Sequence, residues 1–326
     1  MAAALQIHAG PQARAWLREH GLRPQDVRAV PGAAGGAKGI TLNPLDRYLF
    51  AHWLPRAWKD GQSGQSAQQP QPGPSVHLLG ASIGAWRMAA ACRQGEGGAD
   101  SALAQLAEDY ITQHYEHEPG RLPSASTVSR AFGQKIQQRL GQHAAELLAH
   151  PHYRLHVFTS RGRHLLARQG RLRTPVGYLG AFVANAAHRR ALGGFIDRVV
   201  FSDAREPLPL ALNDFRSHRA MLTPQNLAPA VLASCSIPFW LDAVHDVPGG
   251  PRGAYWDGGI TDYHLHLDYR GLAPGLVLYP HFQPQVVPGW LDKPWKRRHR
   301  ASPRLDNLVL LSPTPQWVAS LPGGKL

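Results

Sequence analysis

The chain is poor in cysteine, in acidic residues and in long apolar runs, and each shortage narrows the reading. Two cysteines in 326 residues, Cys92 and Cys235, cannot form a disulfide framework and suit a reducing compartment. No run approaches the roughly 18 apolar residues that a membrane-spanning helix needs. Residues 1–30 include Glu19 and Asp26 and carry no secretory-type apolar core, so a soluble, cytoplasmic protein is expected. Asp and Glu number 22 against 35 Lys and Arg, a formal charge of +13 that favours polyanions such as nucleic acid or anionic lipid. The apolar fraction of 43% is ordinary for a folded protein, and 33 Gly with 28 Pro predict many turns. No repeat and no domain boundary is evident, so a single domain over 1–326 is expected.

The chain order is that of a layered α/β protein. Pro11 followed by Ala13, Trp16 and Leu17 reads as a short amphipathic helix that stops near Gly21, and Asp26–Pro31 as a short strand. The glycine-rich segment 32–39 follows, and then Leu45, Leu49, Phe50 and Trp53 share one helical face. Residues 59–75 are nearly devoid of apolar side chains and read as a mobile surface loop. Val76–Leu79 is a buried-type strand leading through Gly80-Ala81-Ser82-Ile83-Gly84 into a helix. Two strand–turn–helix units imply a largely parallel sheet. The block 101–150 is helical, with Ser124 or Ser126 as cap, and is a candidate cap over a site. Later strands are expected at 153–159, 198–201, 276–279 and 308–311, with helices around 181–192 and 225–235.

Three short motifs carry chemistry. Gly80-x-Ser82-x-Gly84 between strand and helix matches a nucleophile elbow, in which small neighbours allow the sharp turn that presents a serine oxygen at a helix start; on its own it is also an ordinary turn. Gly35-Gly36-Ala37-Lys38-Gly39 can aim several backbone N–H groups at one point, as an oxyanion hole requires. It lacks the Ser or Thr that follows the lysine of a P-loop. Asp257-Gly258-Gly259 sets a carboxylate at the end of a short apolar stretch, where a solvated turn aspartate is the plainer reading.

In this order, GGAKG, GASIG and DGG resemble the pattern of the patatin-like phospholipase family. The stretch Ala233-Ser234-Cys235-Ser236-Ile237-Pro238 adds to the likeness, which spans about 27–263. The resemblance implies a three-layer α/β/α sandwich with a mixed, largely parallel central sheet, and hydrolysis of phospholipid or related acyl esters in lipid degradation. It assigns Ser82 as nucleophile, Asp257 as its dyad partner, and the amides of Gly35, Gly36, Ala37 and Lys38 as oxyanion hole, with Gly80 and Gly84 shaping the elbow. No cofactor, metal or histidine is implied. Ala34 departs from the family's first glycine, Ile83 replaces the usual small residue, and no Asn-Pro follows the aspartate, which leaves the substrate class open.

Other readings compete. The elbow is shared with Ser-His-acid α/β-hydrolases. His264, His266 and Asp268, if on a strand, would face one side as metal ligands. His114, Glu116, His117 and Glu118 read as a solvated charged cluster. Residues 290–304 combine Lys293, Lys296, Arg297, Arg298, Arg300 and Arg304 with Trp290 and Trp295, which suits peripheral contact with an anionic membrane, with or without catalysis. No nucleic-acid module is recognisable, and no nucleic-acid partner is expected.

Overall fold

In the computed structural model, which describes residues 3–59, 75–117 and 120–326, ten strands form one mixed sheet. They are β1 (Leu5–Ala9), β2 (Val27–Gly32), β3 (Val76–Ala81), β4 (Tyr153–Gly162), β5 (Ile196–Asp203), β6 (Ser217–Leu222), β7 (Val244–His245), β8 (Ala254–Trp256), β9 (Leu276–Pro280) and β10 (Leu308–Pro313). The order is β1-β10-β9-β2-β3-β4-β5-β6, with β8 added to β4 and β7 to β8. Along that path only the β1–β10 and β4–β5 pairs are antiparallel. Helices surround the sheet, consistent with a three-layer sandwich. Strands β2, β3, β9 and β10 are nearly continuous apolar runs because a parallel sheet is covered on both faces.

One helical layer contains Ile83–Ala91, Gly98–Ile111, Ala125–Arg139 and Leu227–Cys235. Small residues let these helices approach closely, and Trp86 meets Phe132 edge to face at 5.2 Å. Leu103, Leu106, Phe132, Ile136, Leu140 and Leu147 are all buried in the core shared with the sheet. The block 101–150, a candidate cap in the sequence, packs as part of this layer. Ser124 caps its second helix, accepting the Thr127 N–H at 3.1 Å. Under the same layer, Arg87 forks onto Asp46 at 2.6 and 2.8 Å, with both side chains fully buried.

Several expectations need correction. The helix predicted around 181–192 runs over Arg173–Ala187, because Pro175 is tolerated in the first turn. Residues 264–268 form no strand. Leu265 has φ +46°, His264 accepts the Val287 N–H on Nδ1 at 3.0 Å, and Asp268 turns to Arg270 at 2.6 Å. Among the described residues no three His, Cys, Asp or Glu side chains gather as metal ligands. The loop read over 59–75 lies outside the described residues at 60–74, as does Glu118. Among the described residues no helix is long and apolar enough to cross a membrane.

Candidate active site

Strand register brings the serine and the aspartate together. On one edge of β4, the parallel strand β3 pairs up to Ala81, which lies opposite Phe158. Strand β5 occupies the other edge, so β8 must extend the edge that β3 leaves, and it pairs Trp256 with Ser160 in the antiparallel sense. Ser82 follows Ala81 and Asp257 follows Trp256. Both chains therefore reach the level of Thr159 from opposite directions, and Ser82 Oγ donates to Asp257 Oδ2 at 2.6 Å.

Each motif residue has a mechanical reason. Ser82 has φ +55° and ψ −132°, a conformation that costs a non-glycine residue about 1–3 kcal/mol and must be held by its surroundings. Ser234 does part of the holding: its Oγ accepts the Ser82 N–H at 2.8 Å and donates to the Phe158 carbonyl at 2.7 Å. A side chain at Gly84 would collide with the Gly32 carbonyl, so the elbow helix can lie against the end of β2 only with glycine there. Asp257 is fixed by the same segment. Its N–H donates to Ser236 O at 2.9 Å, the Gly258 N–H donates to Ser234 O at 3.0 Å, and the Gly259 N–H donates to Asp257 Oδ1 at 2.7 Å.

Among the described residues, the Gly35 and Gly36 N–H groups meet no acceptor, and both residues line the same cavity as Ser82 and Asp257. Gly36 has φ +56°, which glycine adopts without strain. Ala37 and Lys38 do not line that cavity. The Lys38 N–H is engaged by Gly35 O at 3.3 Å, and its side chain borders a neighbouring cavity.

Two of the three departures in sequence are accommodated. The Ala34 N–H is engaged by Tyr263 O at 2.9 Å, so a methyl group there removes no free donor. Ile83 packs its methyl group into the space that Gly39 leaves empty, and a Cβ at Gly39 would sit 2.6 Å from it.

Two cavities meet at Ser82 and Gly36. The larger, about 330 Å³, also holds Asp257 and is walled by Tyr178, Phe239, Trp240, Tyr263 and Trp290. The other, about 230 Å³, lies under the helical layer against Tyr110, Tyr115, Phe132 and Leu241, with Ile83 forming part of its wall. Among the described residues no histidine lines either cavity. Burial raises the Asp257 carboxyl to about 7, opposed by the Ser82 hydroxyl, the Gly259 N–H and the Lys293 charge. Lys293 is itself lowered by burial and by the nearby Lys38 charge. Its ammonium rests 4.2 Å above the Tyr263 ring.

Sequence reasoning passed over Ser234 and Lys293 as site residues. Ser234 stood in the ASCSIP stretch, and Lys293 in the basic segment. That segment does not behave as one exposed patch. Arg298 turns inward to Asp292 at 2.6 Å, where Arg189 and Asn185 also converge, and Trp295 stacks on Phe182 at 6.3 Å.

No protein-family model matches the chain, and no curated protein and no solved structure matches it either.

Proposed function

We propose that the chain is a serine acyl hydrolase that cleaves carboxylic esters of lipids, working as the resemblance to patatin-like phospholipases implies. The observation that carries this reading is the 2.6 Å hydrogen bond from a strained, buried serine to a buried carboxylate in a mostly apolar cavity. A serine that only filled a turn would gain nothing from either the strain or the partner.

Ser82 Oγ attacks the ester carbonyl carbon while Asp257 takes the serine proton. The carbonyl oxygen becomes an oxyanion, and the Gly35 and Gly36 N–H groups stabilise it. Collapse breaks the bond to the alcohol, which leaves with the proton from Asp257. Water then attacks the acyl-serine, Asp257 again receives the proton, and Ser82 recovers it as the acid departs. A carboxylate is a weak base for this task in water, and the desolvation that lifts it to about 7 makes it competent near neutral pH. The two cavities at Ser82 give separate walls to the acyl chain and the departing part. The lack of a histidine in either cavity, among the described residues, favours a dyad over a Ser-His-acid triad.

Labelling with a fluorophosphonate probe tests the reading. The intact protein should label at Ser82, Ser82→Ala should not label, and Asp257→Asn should label slowly. Undiminished labelling of Ser82→Ala would overturn it.

A further inference from the structure

The helix Arg173–Ala187 has an unusual solvent face. Leu172, just before it, and Pro175, Val176, Leu179 and Val183 all point outward, and none is charged. Leu179 is 64% exposed and Val183 60%. A helix of a globular protein normally sets polar residues on that face. Its inner face belongs to the candidate site: Tyr178 lines the larger cavity and meets the Phe239 ring at 5.9 Å. Phe239 and Trp240, 61% and 63% exposed, continue the apolar surface around the cavity mouth, and Trp290 flanks it.

Charge around this surface is mostly positive. Residues 161–196 contain seven arginines and no Asp or Glu. Arg168, Arg171, Arg173 and Arg190 are exposed and, among the described residues, make no ion pair. The segment 290–298 packs on the same helix, Arg298 Nη2 donating to Ala186 O at 3.3 Å, and carries the exposed Lys296 and Arg297. The neighbouring acids are engaged, Asp292 by Arg189 and Arg298 and Asp242 by Gln169 at 2.8 Å.

We infer that the outer face of helix Arg173–Ala187, together with Phe239 and Trp240, docks on an anionic lipid bilayer and holds the mouth of the Ser82 cavity against it. Apolar side chains enter the headgroup boundary while the bordering cations meet lipid charge. A second copy of the chain is the poorer occupant, because it would bring like-charged borders together and cover the mouth. The inference rests on the hydrolase reading for its purpose and not for its binding.

Vesicle sedimentation with Ser82→Ala protein separates the two. Binding to vesicles of phosphatidylcholine with 30% phosphatidylglycerol should exceed binding to pure phosphatidylcholine at least tenfold, and should fall as salt rises. In that background Leu179→Gln/Val183→Gln should lose at least tenfold in binding to the anionic vesicles, and with Ser82 intact it should hydrolyse a soluble short-chain ester at the wild-type rate. Arg171→Glu/Arg297→Glu should do the same. Unchanged binding by the Gln double variant would overturn the inference, as would equal binding to both vesicle types. So would a wild-type dimer in light scattering that the Gln double variant reduces to monomer. Loss of fluorophosphonate labelling with vesicle binding intact would remove the hydrolase reading alone.

Discussion

Asp257→Asn should cost activity and increase stability, and the gain should depend on pH in a defined way. In the folded chain the carboxyl sits near 7, whereas in the unfolded chain it returns to its ordinary value near 3.8. Between those values the folded state holds a proton that the unfolded state has released. The aspartate's contribution to stability therefore declines as pH rises from about 4 to about 7 and stays low above. The gap of about 3 pH units at 1.36 kcal/mol each sets the cost near 4 kcal/mol at pH 8.5. Asparagine keeps the shape, accepts the Gly259 N–H and can meet Ser82, but carries no charge to desolvate. The assay is urea unfolding of wild type and Asp257→Asn at pH 4 and pH 8.5. The two should be within about 1 kcal/mol of each other at pH 4. At pH 8.5 the variant should be more stable by about 3–4 kcal/mol, or some 4–6 °C in Tm for a chain of this length. Other titrating groups are common to both proteins and cancel in the difference. A variant no more stable than wild type at pH 8.5 would refute the claim that Asp257 is held in a costly, water-poor site.

Ester turnover should rise with pH through an apparent pKa near 7 as Asp257 ionises, and Lys293→Met should move that midpoint upward by removing the charge that favours the carboxylate. Replacing the glycine-loop donor in Gly36→Ala should lower kcat by about 10²–10³, since alanine is strained at φ +56° and the N–H would turn away. Ser234→Ala leaves the buried Ser82 N–H without its acceptor and should cost about 1–3 kcal/mol in urea unfolding, with kcat falling while KM for a soluble ester holds. Arg87→Ala strands Asp46 in the core and should destabilise by about 3–5 kcal/mol; a smaller change than 1 kcal/mol would mean that water reaches the pair.

What the sequence determined by itself is local. The strand–glycine–helix order, the strands at 153–159, 276–279 and 308–311, a serine cap at 124 or 126 and the elbow at Ser82 follow from periodicity, small residues and turn chemistry, all of which act within a few residues. Gly84 was legible because a sharp turn needs a small residue. Its actual contact, the Gly32 carbonyl, belongs to a strand more than fifty residues away. The tertiary structure decided everything that depends on register and on which side of an element faces what. β4 sets Ser82 and Asp257 on one level, although 175 residues separate them in the chain. Strand β1 on the sheet edge and the three-residue β8 were too short or too exposed to show a pattern. His264–Asp268 alternates as a strand would, yet the turn after Gly259 and the Arg270 partner of Asp268 override that pattern. Arg298 and Arg297 are indistinguishable as neighbours in a basic run. One closes a buried ion cluster at Asp292 and the other faces solvent, because only the packed helix Arg173–Ala187 decides where a carboxylate waits.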